Sequence, residues 1–129
     1  MELTSAIIDE NETIHINRGD RLIFEHSIVN DGVEYVFQEN DFITFAIYNV
    51  KKLDEEPLVF KKIIPNVGST SVEINIPGSD MKIGEPLNKE KDYWYVIRLN
   101  DEVTTKGYDQ NDAKILTLYP EGMKPNVES

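Results

Sequence analysis

Two histidines, His15 and His26, are the only imidazoles in the chain, and neither has a nucleophile-elbow serine or a spaced set of metal ligands beside it. A triad or a metal centre needs a third group converging in space, so both read as partly exposed strand residues. Arg18-Gly19-Asp20 spells the integrin-binding tripeptide, but it stands at a junction between two predicted strands, where Gly and Asp are ordinary turn residues. Asp109, Asn111 and Asp112, with Asp101 and Glu102 before them, offer hard oxygen ligands of the kind calcium takes. Their spacing lacks the Asp-x-Asx-x-Asx-Gly pattern and the late Glu of an EF-hand, and a solvated acidic loop is the expectation. Glu73, Glu85 and Asp92 could supply a carboxylate pair for glycoside hydrolysis, yet 24 acids in 129 residues offer such pairs everywhere. No catalytic, cofactor-binding or metal-binding residue is therefore expected, and no cofactor.

The densest aromatic patch is Tyr93, Trp94 and Tyr95, with Tyr108 further on. Exposed aromatics stack on sugars or anchor protein partners, whereas aromatics of a central strand fill a core. These four form the candidate contact surface. A strand would put Tyr93 and Tyr95 on one face and Trp94 on the other, and the pattern leaves open which face turns inward.

Those residues are set on short apolar stretches with a period of two, closed by Gly, Pro, Asn or Asp, which is the pattern of an all-β sandwich or small barrel. Strands are predicted over 13–17, 21–29, 34–37, 42–50, 58–64, 72–76, 93–99 and 114–119. Asn30-Asp31-Gly32 supplies the residues for a tight reversal. Residues 42–50 are apolar on both faces and read as a central strand, as do 93–99. Lys61 and Lys62 mark 58–64 as a protected edge. The stretch 79–91 is the longest irregular one and the best candidate for a mobile loop, with room for one helical turn over 79–83. About seven or eight strands in about 100 residues match an immunoglobulin-like antiparallel sandwich. The division expected is an N-terminal extension over 1–12, a β-sandwich domain over 13–119 and a flexible tail over 120–129.

A chain of 129 residues is long enough for one core, and the absence of cysteine removes disulfide scaffolds and zinc ribbons. The net charge of −11 repels phosphate backbones and anionic lipid, which argues against nucleic-acid or membrane partners. The first ten residues carry no basic n-region, and no stretch approaches the roughly 20 apolar residues that span a bilayer. Synthesis and retention in a cytoplasm, or exit as part of an assembly, is the expectation.

Ile16-Asn17-Arg18-Gly19-Asp20, Asn30-Asp31-Gly32, Asn40-Asp41-Phe42-Ile43-Thr44-Phe45-Ala46-Ile47, Tyr93-Trp94-Tyr95-Val96-Ile97-Arg98-Leu99 and Lys114-Ile115-Leu116-Thr117-Leu118 follow one another in a familiar order. In that order the chain resembles the N-terminal domain of baseplate upper proteins from tailed bacteriophages of Gram-positive bacteria. It departs from the pattern at Asn40, where the family usually carries Gly. The resemblance implies an immunoglobulin-like fold, a non-enzymatic role in a tail or baseplate, and partners that are other phage tail proteins or copies of the chain itself. It implies a location in the bacterial cytoplasm during assembly and then in the virion. A small carbohydrate- or receptor-binding module, using exposed tyrosines beside the 79–91 loop, is the alternative; a hydrolase with carboxylates that the sequence does not single out comes third.

Overall fold

A computed structural model describes residues 6–30, 32–49, 56–86, 88–100, 102–103 and 114–121. The strands are β1 (Ile7–Ile8), β2 (Ile14–Asn17), β3 (Leu22–His26), β4 (Val29–Asn30), β5 (Val33–Glu34), β6 (Ile43–Tyr48), β7 (Val59–Ile63), β8 (Val72–Ile76), β9 (Lys91–Leu99), β10 (Glu102–Val103) and β11 (Lys114–Tyr119), with a single 3-10 turn at Gly78–Met81. The large sheet runs β1-β2-β11-β9-β6-β7, with β10 also paired to β9. A second sheet is made of β3 and β8, and β4 and β5 form a small hairpin. Among the described residues no helix is long and apolar enough to cross a membrane.

The alternation of the sequence decides which side of each strand is buried. Ile14 and Ile16 of β2, Phe45 and Ile47 of β6, Tyr93, Tyr95 and Ile97 of β9, and Leu116 and Leu118 of β11 all turn inward. Leu22 of β3 with Ile74 and Ile76 of β8 closes the core from the opposite layer. Phe45 fixes the layer contact, with Phe24 edge-on at 6.1 Å between ring centroids and Tyr95 tilted at 5.8 Å. This is an all-β sandwich, with β6 and β9 central as their apolar character requires. One pairing departs from the antiparallel rule: β2 lies parallel to β11, with Ile16 opposite Leu118. The chain crosses from the large sheet to the small one directly after β2, so β2 finds the last strand as its neighbour instead of the next one.

Three further differences from the sequence expectation have local causes. The strand expected over 21–29 divides, because β3 pairs with β8 only as far as His26 and Val29–Asn30 turns away to pair with β5. Within the expected N-terminal extension, Ile7–Ile8 adds to the sheet edge, with Ile8 opposite Ile14. The 79–91 loop is anchored in its first half instead of loose: Met81 and Ile83 are buried in the core, and the Gly19 amide donates to the Met81 carbonyl at 3.2 Å. Gly78 is the residue that allows this approach, since a Cβ there would lie 2.4 Å from the Gly19 carbonyl oxygen.

At the opposite end of the sandwich, Asp41 organises the turn before β6. Its carboxylate accepts the Tyr35 hydroxyl at 2.6 Å, the Gln38 amide at 2.7 Å and the Asn100 side-chain amide at 2.8 Å. Those bonds, led by Tyr35, hold the carboxyl below its ordinary range. Asn40 beside it has φ +71, the left-handed conformation that Asn tolerates better than most residues. The expected tail over 120–129 lies outside the described residues except for Pro120 and Glu121.

Candidate functional site

Strand β9 is the element that decides the candidate contact surface. Its inward row takes Tyr93 and Tyr95 into the core, where they are 1% and 4% exposed. The Tyr95 hydroxyl donates to the Glu12 carbonyl, and burial pushes the phenol up, with the charges of Glu12 and Asp9 adding to it. Neither ring can face a partner, which corrects the expectation that placed both on the contact surface. Trp94 stays half-buried on the outer row, and Tyr108 lies outside the described residues.

The outer row of β9 reads Asp92, Trp94, Val96 and Arg98. Its neighbours in register are Thr44, Ala46 and Tyr48 of β6, with Ala46 opposite Val96 and Tyr48 opposite Trp94. Beyond them stand Phe60 and Lys62 of β7, opposite Ala46 and Thr44. Ala46, Tyr48 and Val96 form a small apolar cluster of their own, separate from the main core. Around this floor Phe60 is 59% exposed, Leu58 48% and Ile115 38%. Ala46 and Val96 are fully buried and Tyr48 is 4% exposed, so this floor is already covered within the chain, and what stays open are Leu58, Phe60 and Ile115. Sequence reasoning missed Leu58, Phe60 and Ile115 because it weighed aromatic density; the parity of β7 and β11 relative to the core carried the signal.

The residues that could have done chemistry are mostly occupied structurally. Arg18 donates Nε to the Ile83 carbonyl at 3.0 Å and Nη2 to the Gly84 carbonyl at 2.7 Å, and pairs with Glu121. A guanidinium committed in this way straps down the 79–91 loop and is closed to an integrin, in accord with the turn reading. His15 Nε2 stands 2.9 Å from Asp9 Oδ2, and its Nδ1 stands 3.0 Å from the Tyr119 hydroxyl. Asp9 also accepts the Asn11 and Thr13 amides, and its carboxyl is held down first by the His15 bond. The Tyr119 phenol is pushed up, chiefly by burial, so nothing in this Asp-His-Tyr row is an activated nucleophile. It fastens the β1-β2 turn to β11.

His26 is half-buried at the end of β3, and burial pushes its imidazole below the ordinary value while Glu12 opposes. The carboxylates weighed for hydrolysis are not brought together: Asp92 lies on the outer face of the large sheet, Glu73 on the exposed side of β8, and Glu85 in a cleft at the end of the sandwich. Among the described residues no three His, Asp or Glu side chains gather as metal ligands, and the 109–112 loop lies outside those residues. The cleft has a volume of about 380 Å³ and is lined by Asn49, Leu58, Gly84, Glu85, Pro86, Lys91 and Tyr93. Lys91 Nζ lies 3.4 Å from Asn49 Oδ1 and 5.0 Å from the centre of the Tyr93 ring. Comparison with protein-family models, with curated proteins and with solved structures finds no match.

Proposed function

We propose that this chain is a non-enzymatic structural component of a phage or prophage virion, a tail or baseplate protein that acts through protein–protein contacts. The observation that supports it most is the set of large apolar side chains the fold leaves open, Leu58, Phe60 and Ile115, carried on rigid strands or beside them. Exposed apolar side chains with charged neighbours such as Lys62 have the anatomy of a protein interface. The resemblance of 13–119 to baseplate upper domains supplies the kind of assembly, and the occupied states of Arg18 and His15 agree with a chain that turns nothing over. The test is co-expression with phage tail and baseplate proteins. A stable complex that Phe60→Glu abolishes is expected; a chain that binds none of them, or whose complex ignores Phe60→Glu, contradicts the reading.

The cleft favours a second reading, a carbohydrate-binding module, since Glu85, Lys91 and Asn49 offer both donors and acceptors beside the apolar Leu58 and Pro86. Titration with neutral methyl glycosides distinguishes it. Amide shifts confined to Asn49, Glu85 and Lys91, with binding lost in Glu85→Gln, would favour this module over the tail protein.

A further inference from the structure

The two layers of the sandwich are unequal in width. Among the described residues the small sheet has only β3 and β8 to set against the large one, β7 pairs only with β6, and β8 pairs only with β3. Between the edges of β7 and β8 lies a groove of about 380 Å³, with Lys61 and Ile63 on one wall and Arg21, Glu73, Asn75 and Pro77 on the other. Residues directly opposite each other in a sheet share a face. Val59, Lys61 and Ile63 stand opposite Ile47, Phe45 and Ile43 of the core, so all three belong to the core-facing row of β7. Val59 is buried and Ile63 half-buried, yet Lys61 between them is exposed. Among the described residues nothing of the second layer reaches over it.

We infer that the groove receives an extended segment of a partner protein, which joins the small sheet as a third strand beside β8 and lays a carboxylate over Lys61. The edge of β8 offers backbone donors and acceptors that an incoming strand satisfies at a spacing of about 4.8 Å. Packed sheets lie about 10 Å apart, so a strand in that place stands above β7 and turns alternate side chains down onto it. Lys61 and Ile63 are two positions apart, and the segment therefore needs an acid and an aliphatic residue two positions apart. Charge decides the sign of that acid's partner. Lys61 has no ion-pair partner among the described residues. Across the groove Glu73 already accepts the Asn75 side-chain amide at 3.1 Å, and Asn75 accepts Arg21. In a chain at −11 the groove holds two cations against one acid, a local reversal that favours an anionic segment. An inward-facing charge on a sheet edge turns away strands that lack its complement. The same lysine that protects the edge against random pairing thus selects an acidic strand.

This inference rests on the proposed reading of the chain as a contact protein and names the element that its partner supplies. The full chain, isotope-labelled for amide spectra, is titrated with two blocked hexapeptides of alternating threonine and valine, one with glutamate in place of a central valine and the other with lysine there. The glutamate peptide is expected to move the amides of Lys61, Ile63, Glu73 and Asn75, and the lysine peptide to bind roughly fivefold more weakly, the upper end for a partly exposed ion pair. Lys61→Glu changes an exposed side chain and should invert that order of preference. A glutamate peptide that leaves these amides unmoved or moves only those of another edge, or a preference that Lys61→Glu does not invert, overturns the inference. If tail proteins bind in a Phe60-dependent way while the peptides do not, the groove fails and the contact reading stands; peptides that bind a chain no tail protein recognises keep the groove and remove that reading.

Discussion

Arg18 illustrates how a residue's role is set by what its atoms reach. Its side chain is 10% exposed and spans the gap between the end of β2 and two carbonyls of the 79–91 loop. Arg18→Ala leaves those acceptors without their charged donor and should cost about 2 kcal/mol in denaturant unfolding, within the range for hydrogen bonds to charged groups. Gly78→Ala drives a methyl into the Gly19 carbonyl and should cost roughly 1–3 kcal/mol, the usual range for overpacking. A chemical-denaturation series reads both, and a neutral Gly78→Ala would mean that the two turns separate freely. The tripeptide and its turn could be read from the sequence, but the loop carbonyls that receive Arg18 are some 65 positions away in the chain and carry no sequence signal. The Asp9-His15-Tyr119 row was hidden for the same reason, since Tyr119 reaches β2 only through the parallel pairing with β11.

At the level of strands, period-two alternation located β2, β3, β6, β7, β8, β9 and β11, and the apolar character of both faces marked β6 and β9 as central. It could not say which of the two rows of β9 faces the core. That choice depends on the opposite layer, where Phe24 meets Phe45 and commits the Phe45 row, and with it Tyr95, to the interior. The prediction at this scale separates folding from contact. Phe60→Glu replaces an exposed side chain of an edge strand and should change stability by no more than about 0.5 kcal/mol while abolishing association through the outer face. Phe45→Ala opens the core and should cost about 3–5 kcal/mol. Thermal melts beside binding measurements check the pair; equal losses of stability would deny that the outer face is a surface. The polar composition of 79–91 concealed Met81 and Ile83, two apolar anchors that set its first half in the core.

The whole molecule responds to pH through groups whose protonation differs between folded and unfolded states. His26 is held below its ordinary value, so the unfolded chain binds the proton more readily and stability falls as pH drops below about 6.5. Asp9 and Asp41 are also held down, so the stability they contribute is present above about pH 4 and is lost as the medium becomes more acid. Acidification also relieves the repulsion of a chain at −11, which acts in the opposite sense. The informative quantity is therefore the difference between wild type and His26→Phe: the wild type should lose melting temperature relative to the variant between neutral pH and about pH 5, and parallel curves would contradict the assignment.

The most direct test of the outer face as a contact surface uses a probe the molecule already carries. Trp94 is the single tryptophan of the chain and stands in the middle of that face. Its emission, followed while a phage tail or baseplate protein is added, is expected to shift to the blue and to become less open to acrylamide quenching as the partner covers it. Emission and quenching that stay constant across the whole titration would mean that Trp94 meets no partner, and would contradict the contact reading.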